Sequence, residues 1–274
     1  MMTHFVPTPP SSARRPWFAP LNRPIADWRG RRVWVVGASS GIGAEITRAL
    51  LARGARLAVS ARRADALRAV VGSAPAEILP MDITDAAAVA QACATLRERW
   101  GGIDLVLWVA GTHAPMRAQD FELAAALRLV DTNLHAVLNG LATVLPMLLS
   151  QRAGGIAIVS SVAGYSGLPK ALVYGPTKAA LINLAESLYM DLSPAGIDVY
   201  LVNPGFVKTP LTAENDFTMP ALISAQAAAE ATLAGIEAGR FEIHYPRRFT
   251  GMLKFARLLP YRLYFAAVRR MTGL

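Results

Sequence analysis

Short apolar runs alternate with longer amphipathic stretches from Arg31 onward, and this alternation is the main structural signal in the chain. Apolar runs rich in β-branched residues are typical of buried strands, and helical spacing between them predicts crossover helices. Seven strands are predicted, at Val33 to Val36, Arg56 to Ser60, Glu77 to Met81, Leu105 to Val109, Ile156 to Ser160, Asp198 to Val202 and Glu242 to Tyr245. Helices are predicted at about residues 42–53, 63–73, 85–100, 119–149, 173–193 and 221–238. This rhythm predicts an α/β fold built on a doubly wound parallel sheet.

Two regions, at the beginning and at the end of the chain, lie outside this alternation. Residues 1–29 form a proline-containing leader without the apolar stretch of a secretory signal, and we expect it to be loose. Residues 30–246 form the α/β domain, and residues 247–274 form a basic tail. Within the domain, the loop from Phe206 to about Pro220 follows the sixth strand, where open α/β sheets bind ligands. We expect this loop to be a substrate lid.

Composition favours one globular domain, since 53% of the 274 residues are hydrophobic and only 17% are charged. Cys93 is the only cysteine, which excludes an internal disulfide and fits a reducing, cytoplasmic setting. The four histidines are scattered, so no metal site is predicted. The longest apolar stretch, residues 134–149, is broken by His135, Asn139 and Pro146, so no membrane-spanning helix is predicted.

The net charge of +9 is concentrated in the tail, where seven basic residues follow Glu242 and no acidic residue does. The rest of the chain carries only +2, and it shows no nucleic-acid-binding module, so nucleic acid is not an expected partner. The tail is predicted to form two short helices broken at Pro260. An apolar stripe at helical spacing in the second helix consists of Tyr261, Tyr264, Val268 and Met271, with Arg262 and Arg269 on another side. Such a stripe either contacts an anionic membrane surface or an apolar substrate mouth, or packs on the protein itself.

A glycine-rich turn directly follows the first strand and opens the first helix, with the sequence Gly37-Ala38-Ser39-Ser40-Gly41-Ile42-Gly43. Its glycines would let a pyrophosphate approach backbone N–H groups at the helix N-terminus. At the end of the second strand, Arg62 and Arg63 stand where an acidic residue would select NAD. These arginines predict the 2′-phosphate of NADP, with ordinary solvated arginines as the alternative.

Tyr174 and Lys178 are four residues apart on a predicted helix and therefore share one face. An ammonium beside a phenol favours the phenolate, so we expect Lys178 to lower the pKa of Tyr174 from about 10. Proton exchange with a substrate near neutral pH would then become feasible.

These motifs resemble the short-chain dehydrogenase/reductase family, which uses the glycine spacing Gly-x-x-x-Gly-x-Gly and the motif Tyr-x-x-x-Lys. The match runs from about residue 31 to 245 and continues in order through Asp82-Ile83, Asn133, Ser161, Tyr174 with Lys178, and the segment Asn203 to Thr209. The resemblance implies a Rossmann fold, a bound NADPH or NADP, and catalysis by Asn133, Ser161, Tyr174 and Lys178. It further implies cofactor contacts by Gly37, Ser39, Ser40, Gly41, Ile42, Gly43, Arg62, Arg63, Asp82, Ile83, Ala110, Gly111, Tyr174, Lys178, Pro204, Gly205, Val207 and Thr209.

The resemblance also implies a role for each catalytic residue. Ser161 would hold the carbonyl oxygen and Asn133 would support a water relay to Lys178. Ser160 is the neighbouring candidate, but strand alternation points the two serines to opposite sides, and the thirteen-residue step to Tyr174 favours Ser161.

Two departures from the family pattern bear on function. The family usually has Asn-Asn-Ala-Gly after the fourth strand, whereas this chain has Trp108-Val109-Ala110-Gly111 and so loses both amides. The last strand runs on to Pro246-Arg247-Arg248 instead of a glycine-rich ending.

The sequence predicts an NADPH-dependent carbonyl reductase or alcohol dehydrogenase. The resemblance leaves the oligomeric state open, with a homodimer as one alternative, since relatives often dimerise through the helices at 119–149 and 173–193. A hydrophobic, lipid-like substrate is suggested by apolar residues in and before the lid, namely Leu168, Pro169, Phe206, Leu211, Phe217 and Met219. The same residues could simply pack the lid. The alternative function is a non-catalytic NADP-binding or scaffolding protein of the same fold.

Overall fold

The computed structural model describes residues 18–213 and 218–272. The strands are β1 (Arg32–Val36), β2 (Arg56–Ser60), β3 (Ala76–Ile78), β4 (Leu105–Trp108), β5 (Gly155–Val159), β6 (Asp198–Pro204), β7 (Val207–Lys208), β8 (Ile223–Ser224) and β9 (Glu242–Tyr245). The α-helices are α1 (Gly41–Ala52), α2 (Ala64–Val71), α3 (Ala86–Trp100), α4 (Leu123–Val130), α5 (Ala136–Gln151), α6 (Tyr174–Leu192), α7 (Ala225–Glu237), α8 (Arg247–Ala256) and α9 (Tyr261–Thr272).

Seven strands form one parallel sheet in the order β3-β2-β1-β4-β5-β6-β9. The expected doubly wound sheet is confirmed. The chain reverses its direction of travel across the sheet between β1 and β4, and Val36 at the end of β1 pairs with Ser60 of β2 and Trp108 of β4. Such a reversal opens a crevice at the carboxyl ends of the strands.

Both faces of the sheet are buried, because strand residues alternate between two apolar layers. Val33 and Val35 of β1 point to the layer that includes residues of α1, α2 and α7, whereas Trp34 and Val36 point to the layer with α3, α5 and α6. All four residues are fully buried. The rigid double-sided core fixes the strand ends that carry the site.

Three elements differ from the sequence expectation. Strand β3 ends at Ile78, earlier than the predicted Met81. The predicted lid, Phe206 to about Pro220, contains β7, and β7 pairs in parallel with β8, which takes the place of the first residues of the helix predicted at 221–238. Residues 214–217 of the lid, including Phe217, lie outside the described residues. The predicted helix at 119–149 is interrupted by a π-helical turn, Asp131–His135, between α4 and α5.

Residues 1–17 of the predicted leader lie outside the described residues, and the part before β1 that the structure describes packs against the domain from Leu21, in contrast to the expected loose leader. The Asn22 carboxamide donates to the Val199 carbonyl at 2.7 Å and accepts from the Val199 N–H at 3.1 Å. The Trp28 indole donates to Glu237 at 2.6 Å and is 4% exposed. These long-range bonds hold residues 22–28 against β6 and α7.

By length and apolar composition alone, the continuous helix Leu123–Gln151 could cross a membrane, and it is the one helix in the described ranges that could. Asn133 within it is fully buried, and Leu148 packs in the core beside the sheet. These contacts are those of a core helix in a globular domain.

Candidate active site

A cleft of about 1200 Å³ lies at the carboxyl ends of the strands. Its lining contains all the residues expected to contact a cofactor, together with Ser161. Asn133 does not line the cleft, since its side chain is buried behind the wall. The structure therefore brings the separated sequence motifs together along one continuous surface.

The glycine-rich turn brings its backbone into close contact with neighbouring backbone atoms. A Cβ atom on Gly43 would lie 2.1 Å from the Gly37 carbonyl oxygen, so only glycine lets the first turn of α1 pack on the end of β1. Gly37 has φ +92 and touches the Ala110 backbone, where a side chain would not fit. The Ser40 side chain does not cap α1, which leaves the helix N-terminus available to an anion such as a pyrophosphate.

Positive charge lies at the far end of the cleft, beyond β2. Arg62 and Arg63 are exposed there, and neither forms a salt bridge within the described ranges. Asp82 accepts hydrogen bonds from the Thr84 backbone at 2.9 Å and hydroxyl at 2.7 Å, and these bonds, with a smaller contribution from Arg62, hold its pKa below the usual value. The arrangement suits a phosphate at the arginines next to a rigid turn at Asp82.

The two serines after β5, Ser160 and Ser161, make different hydrogen bonds. The Ser160 hydroxyl donates to the Lys178 carbonyl at 2.7 Å and so ties the strand to α6. The Ser161 oxygen accepts from the Ala163 N–H at 3.1 Å and is hydrogen-bonded to Tyr174. Ser161 is therefore the serine that faces the phenol in the cleft, as strand alternation predicts.

Lys178 is almost completely buried, with 4% of its surface exposed. Its ammonium donates to the Val159 carbonyl at 3.1 Å and lies 5.7 Å from the centre of the Tyr174 ring. Burial lowers the pKa of Lys178 to about 8, because the charged form loses its hydration.

The expected lowering of the Tyr174 pKa is wrong for the protein alone. Burial raises the pKa of Tyr174, and the hydrogen bond with Ser161 only partly opposes that rise. The Tyr174 phenol is therefore protonated at neutral pH and available as a proton donor.

Asn133 lies in the π-helical turn and is held by the chain on both sides of its carboxamide. Its oxygen accepts from the Thr112 N–H at 2.8 Å, and its nitrogen donates to the Thr112 carbonyl at 2.9 Å and the Thr177 hydroxyl at 3.2 Å. Turns of this kind are frequent at functional sites. In this structure Asn133 fixes the loop after β4 against α6, the helix that carries Tyr174.

Trp108 stands where the family usually has an asparagine, and its side chain makes a packing contact there. Its ring fills the space above Gly140 of α5, where an added Cβ would lie 2.1 Å from a ring carbon. The backbone at the end of β4 is still hydrogen-bonded to β1, since the Val109 and Ala110 N–H groups both donate to the Val36 carbonyl. The Trp108 indole N–H is buried and has no hydrogen-bond partner among the described residues, so a tryptophan at this position costs one hydrogen bond.

The substrate end of the cleft contains residues that the motifs did not identify. The His113 ring stands edge-on to Tyr174, with 4.7 Å between ring centres. The cleft lining also includes other residues outside the motifs, namely Ala114, Ala125, Arg128, Leu129, Asp131, Thr132 and His135. The position of His113, two residues after the Ala110-Gly111 pair at a strand end, was the available sequence signal.

Few of the apolar lid residues reach the cleft. Leu211 lines it, whereas Phe206 packs on Phe249 of α8 with 5.8 Å between ring centres. Leu168, Pro169 and Met219 are not part of the lining. The substrate end is therefore mixed in polarity.

The site thus combines a glycine turn at an uncapped helix N-terminus, a protonated phenol and a buried lysine. Residues 31–219 match the short chain dehydrogenase family. An uncharacterized oxidoreductase of Myxococcus xanthus is 34% identical over 252 residues, which cover 90% of this chain and all of the relative.

Solved structures agree on the fold. A short chain dehydrogenase from Burkholderia cenocepacia in complex with NADP superposes with a TM-score of 0.79 at 26% identity, covering 88% of this chain and 98% of that one. A protein described as ribose-5-phosphate isomerase from Brucella melitensis reaches 0.73 at 25% identity, with 80% and 93% coverage. Since those descriptions differ, the fold alone assigns no substrate. The family match and the curated relative, with the site that the sequence motifs build, show that this chain belongs to the short chain dehydrogenase family and is an NAD(P)-dependent oxidoreductase.

Proposed function

We propose that the protein is an NADPH-dependent reductase of ketones or aldehydes, which also runs the reverse oxidation of the alcohol. The observation that carries the proposal is one cleft with Arg62 and Arg63 at one end and Ser161, Tyr174 and Lys178 at the other. The glycine cradle and the uncapped start of α1 lie along the same cleft and fit a pyrophosphate.

When bound, NADPH supplies the hydride that reduces the carbonyl carbon. The Tyr174 phenol donates its proton to the carbonyl oxygen, which its raised pKa permits at neutral pH. The Ser161 hydroxyl is placed to hold that oxygen by a hydrogen bond, since its own oxygen already accepts from Ala163. Lys178 lies buried behind the phenol, where a charge stabilises the phenolate that forms.

The cleft lining favours a substrate with an apolar part next to Leu211 and polar groups near His113, which stands beside Tyr174. A purely hydrocarbon chain would leave the polar side chains desolvated without partners, which is unfavourable. A mixed substrate therefore fits better than the simple lipid suggested by the lid sequence.

The cofactor preference can be tested with Arg62→Ala. A charge-assisted contact with the 2′-phosphate is worth about 1.5–3 kcal/mol, so kcat/KM for NADPH should fall roughly 10-fold to 100-fold while that for NADH hardly changes. Arg68→Ala, which removes another exposed arginine on α2, is the matched control. Equal use of NADH and NADPH by the unmodified protein would contradict the proposed preference.

A further inference from the structure

The two C-terminal helices expose an unusually apolar surface, which we call the tail patch. It consists of Met252, Phe255, Leu258, Tyr261, Leu263, Phe265 and Met271. Leu258 and Tyr261, at the junction of α8 and α9, are 77% and 78% exposed. Large apolar side chains grouped in this way on a globular domain mark an interaction surface.

The tail patch is exposed although both helices are firmly docked. On α8, Thr250 is fully buried and hydrogen-bonded to His244 at 2.6 Å, and Lys254 is ion-paired with Glu242. On α9, the Tyr264 hydroxyl donates to the Gly167 carbonyl at 2.7 Å. The inner faces of the helices are thus already satisfied, and the tail patch belongs to their outer faces.

The apolar stripe expected in the second helix is divided between the two faces. Tyr264 is 6% exposed and Val268 is half-buried, so these two pack on the protein itself. Tyr261 and Met271 remain exposed. Docking on the domain therefore accounts for only part of the stripe.

The helices that form the tail patch also carry exposed arginines. Six arginines of α8, α9 and their junction are exposed, and none forms a salt bridge within the described ranges: Arg247, Arg248, Arg257, Arg262, Arg269 and Arg270. No acidic residue follows Glu242 in the sequence. The surface is thus basic as well as apolar.

Cationic and apolar side chains share the same outer faces. Arg248, Met252 and Phe255 follow each other at i, i+4 and i+7 on α8, and on α9 Phe265 lies between Arg262 and Arg269 at similar spacing. Side chains arranged like this can insert apolar ends among acyl chains while the arginines reach lipid phosphates.

We propose that α8 and α9 form a peripheral anchor that binds an anionic lipid bilayer. A second copy of this chain fits the tail patch poorly, because a two-fold contact would bring two copies of the same basic surface together. The proposal goes beyond the proposed function, since it requires no residue of the cleft. The anchor would hold the loops at Gly167 and Phe206, which contact α9 and α8, close to the bilayer.

The test is cosedimentation of the full chain with vesicles of three parts phosphatidylcholine to one part phosphatidylserine, and with phosphatidylcholine alone. One variant combines Phe255→Ser with Phe265→Ser, and its matched control is Phe121→Ser, an exposed phenylalanine elsewhere on the domain. A second variant combines Arg262→Gln with Arg269→Gln, with exposed Arg68→Gln as its control.

We expect binding to the mixed vesicles at low salt and weaker binding at high salt or without phosphatidylserine. Each basic residue near an anionic leaflet strengthens binding roughly fivefold, so the double arginine variant should bind about 25-fold more weakly. The double phenylalanine variant should lose at least about tenfold, and the controls should bind like the unmodified protein. Absence of binding at low salt, or equal binding by the tail variants, would overturn the proposal. So would arginine-dependent binding to a DNA duplex, or tail-dependent self-association, without vesicle binding.

Discussion

Replacing the buried Lys178 with methionine should make the free protein more stable at neutral pH. Lys178 is 4% exposed, and burial lowers its pKa from the usual 10.5 to about 8. At about 1.4 kcal/mol per pKa unit, the buried charge costs on the order of 3 kcal/mol of folding free energy below pH 8. The lost hydrogen bond to the Val159 carbonyl offsets roughly 1 kcal/mol of the gain, so a net stabilisation of about 2 kcal/mol is expected.

The pH dependence follows from the direction of the pKa change. Because the folded-state pKa lies below the unfolded value, the unfolded chain binds more protons between about pH 8 and 10.5. The stability of the unmodified protein relative to Lys178→Met should therefore rise across that window, by up to about 1.4 kcal/mol per pH unit.

Urea unfolding of both proteins at several pH values from 7 to about 10 measures this difference directly. Lys208→Met, which removes an exposed lysine, is the control and should show no comparable rise. A difference between the unmodified protein and Lys178→Met that stays constant over the whole range would refute the reasoning, because it would mean that the pKa of Lys178 is not lowered in the folded protein.

Two further predictions concern packing and proton transfer. Gly140→Ala places a methyl group against the Trp108 ring and should lower the free energy of unfolding by about 1–3 kcal/mol. The double variant that also carries Trp108→Phe should recover part of this loss. Urea unfolding of Gly140→Ala, Trp108→Phe and the double variant measures both effects. Because its raised pKa keeps Tyr174 protonated at neutral pH, ketone reduction should be favoured there. Alcohol oxidation needs the phenolate, so its rate should still be rising when the pH passes the usual phenol pKa of about 10. Initial rates in both directions against pH test this, and an oxidation rate that falls with pH would contradict it.

Local patterns in the sequence were sufficient for the fold and for the cofactor side of the cleft. The apolar alternation of β1 and the glycines after it act within a few residues, so the strand, the turn and α1 could be predicted without the rest of the chain. Parallel strands then bring their carboxyl ends to one edge of the sheet, which explains why Arg62 and Tyr174 were correctly expected to line the same cleft.

Features that depend on distant partners could not be predicted. Asn22 bonds to Val199, 177 positions away, and nothing in the leader sequence signals that contact. Trp108 is accommodated only because residue 140 of α5 is glycine. The pKa of Tyr174 was expected to fall because spacing revealed the neighbouring lysine, whereas the burial that raises this pKa comes from the folded surroundings.

The most direct test of the catalytic account is NADPH oxidation by Tyr174→Phe, with a panel of ketones and aldehydes. The variant keeps the ring and the helix but lacks the proton donor, so turnover should fall at least about 10²-fold while NADPH binding, followed by fluorescence, stays nearly unchanged. Tyr189→Phe, which removes only a hydroxyl bonded to the Leu21 carbonyl, is the matched control and should keep full turnover. Turnover by Tyr174→Phe at the rate of the unmodified protein would contradict the assignment of Tyr174 as the proton donor.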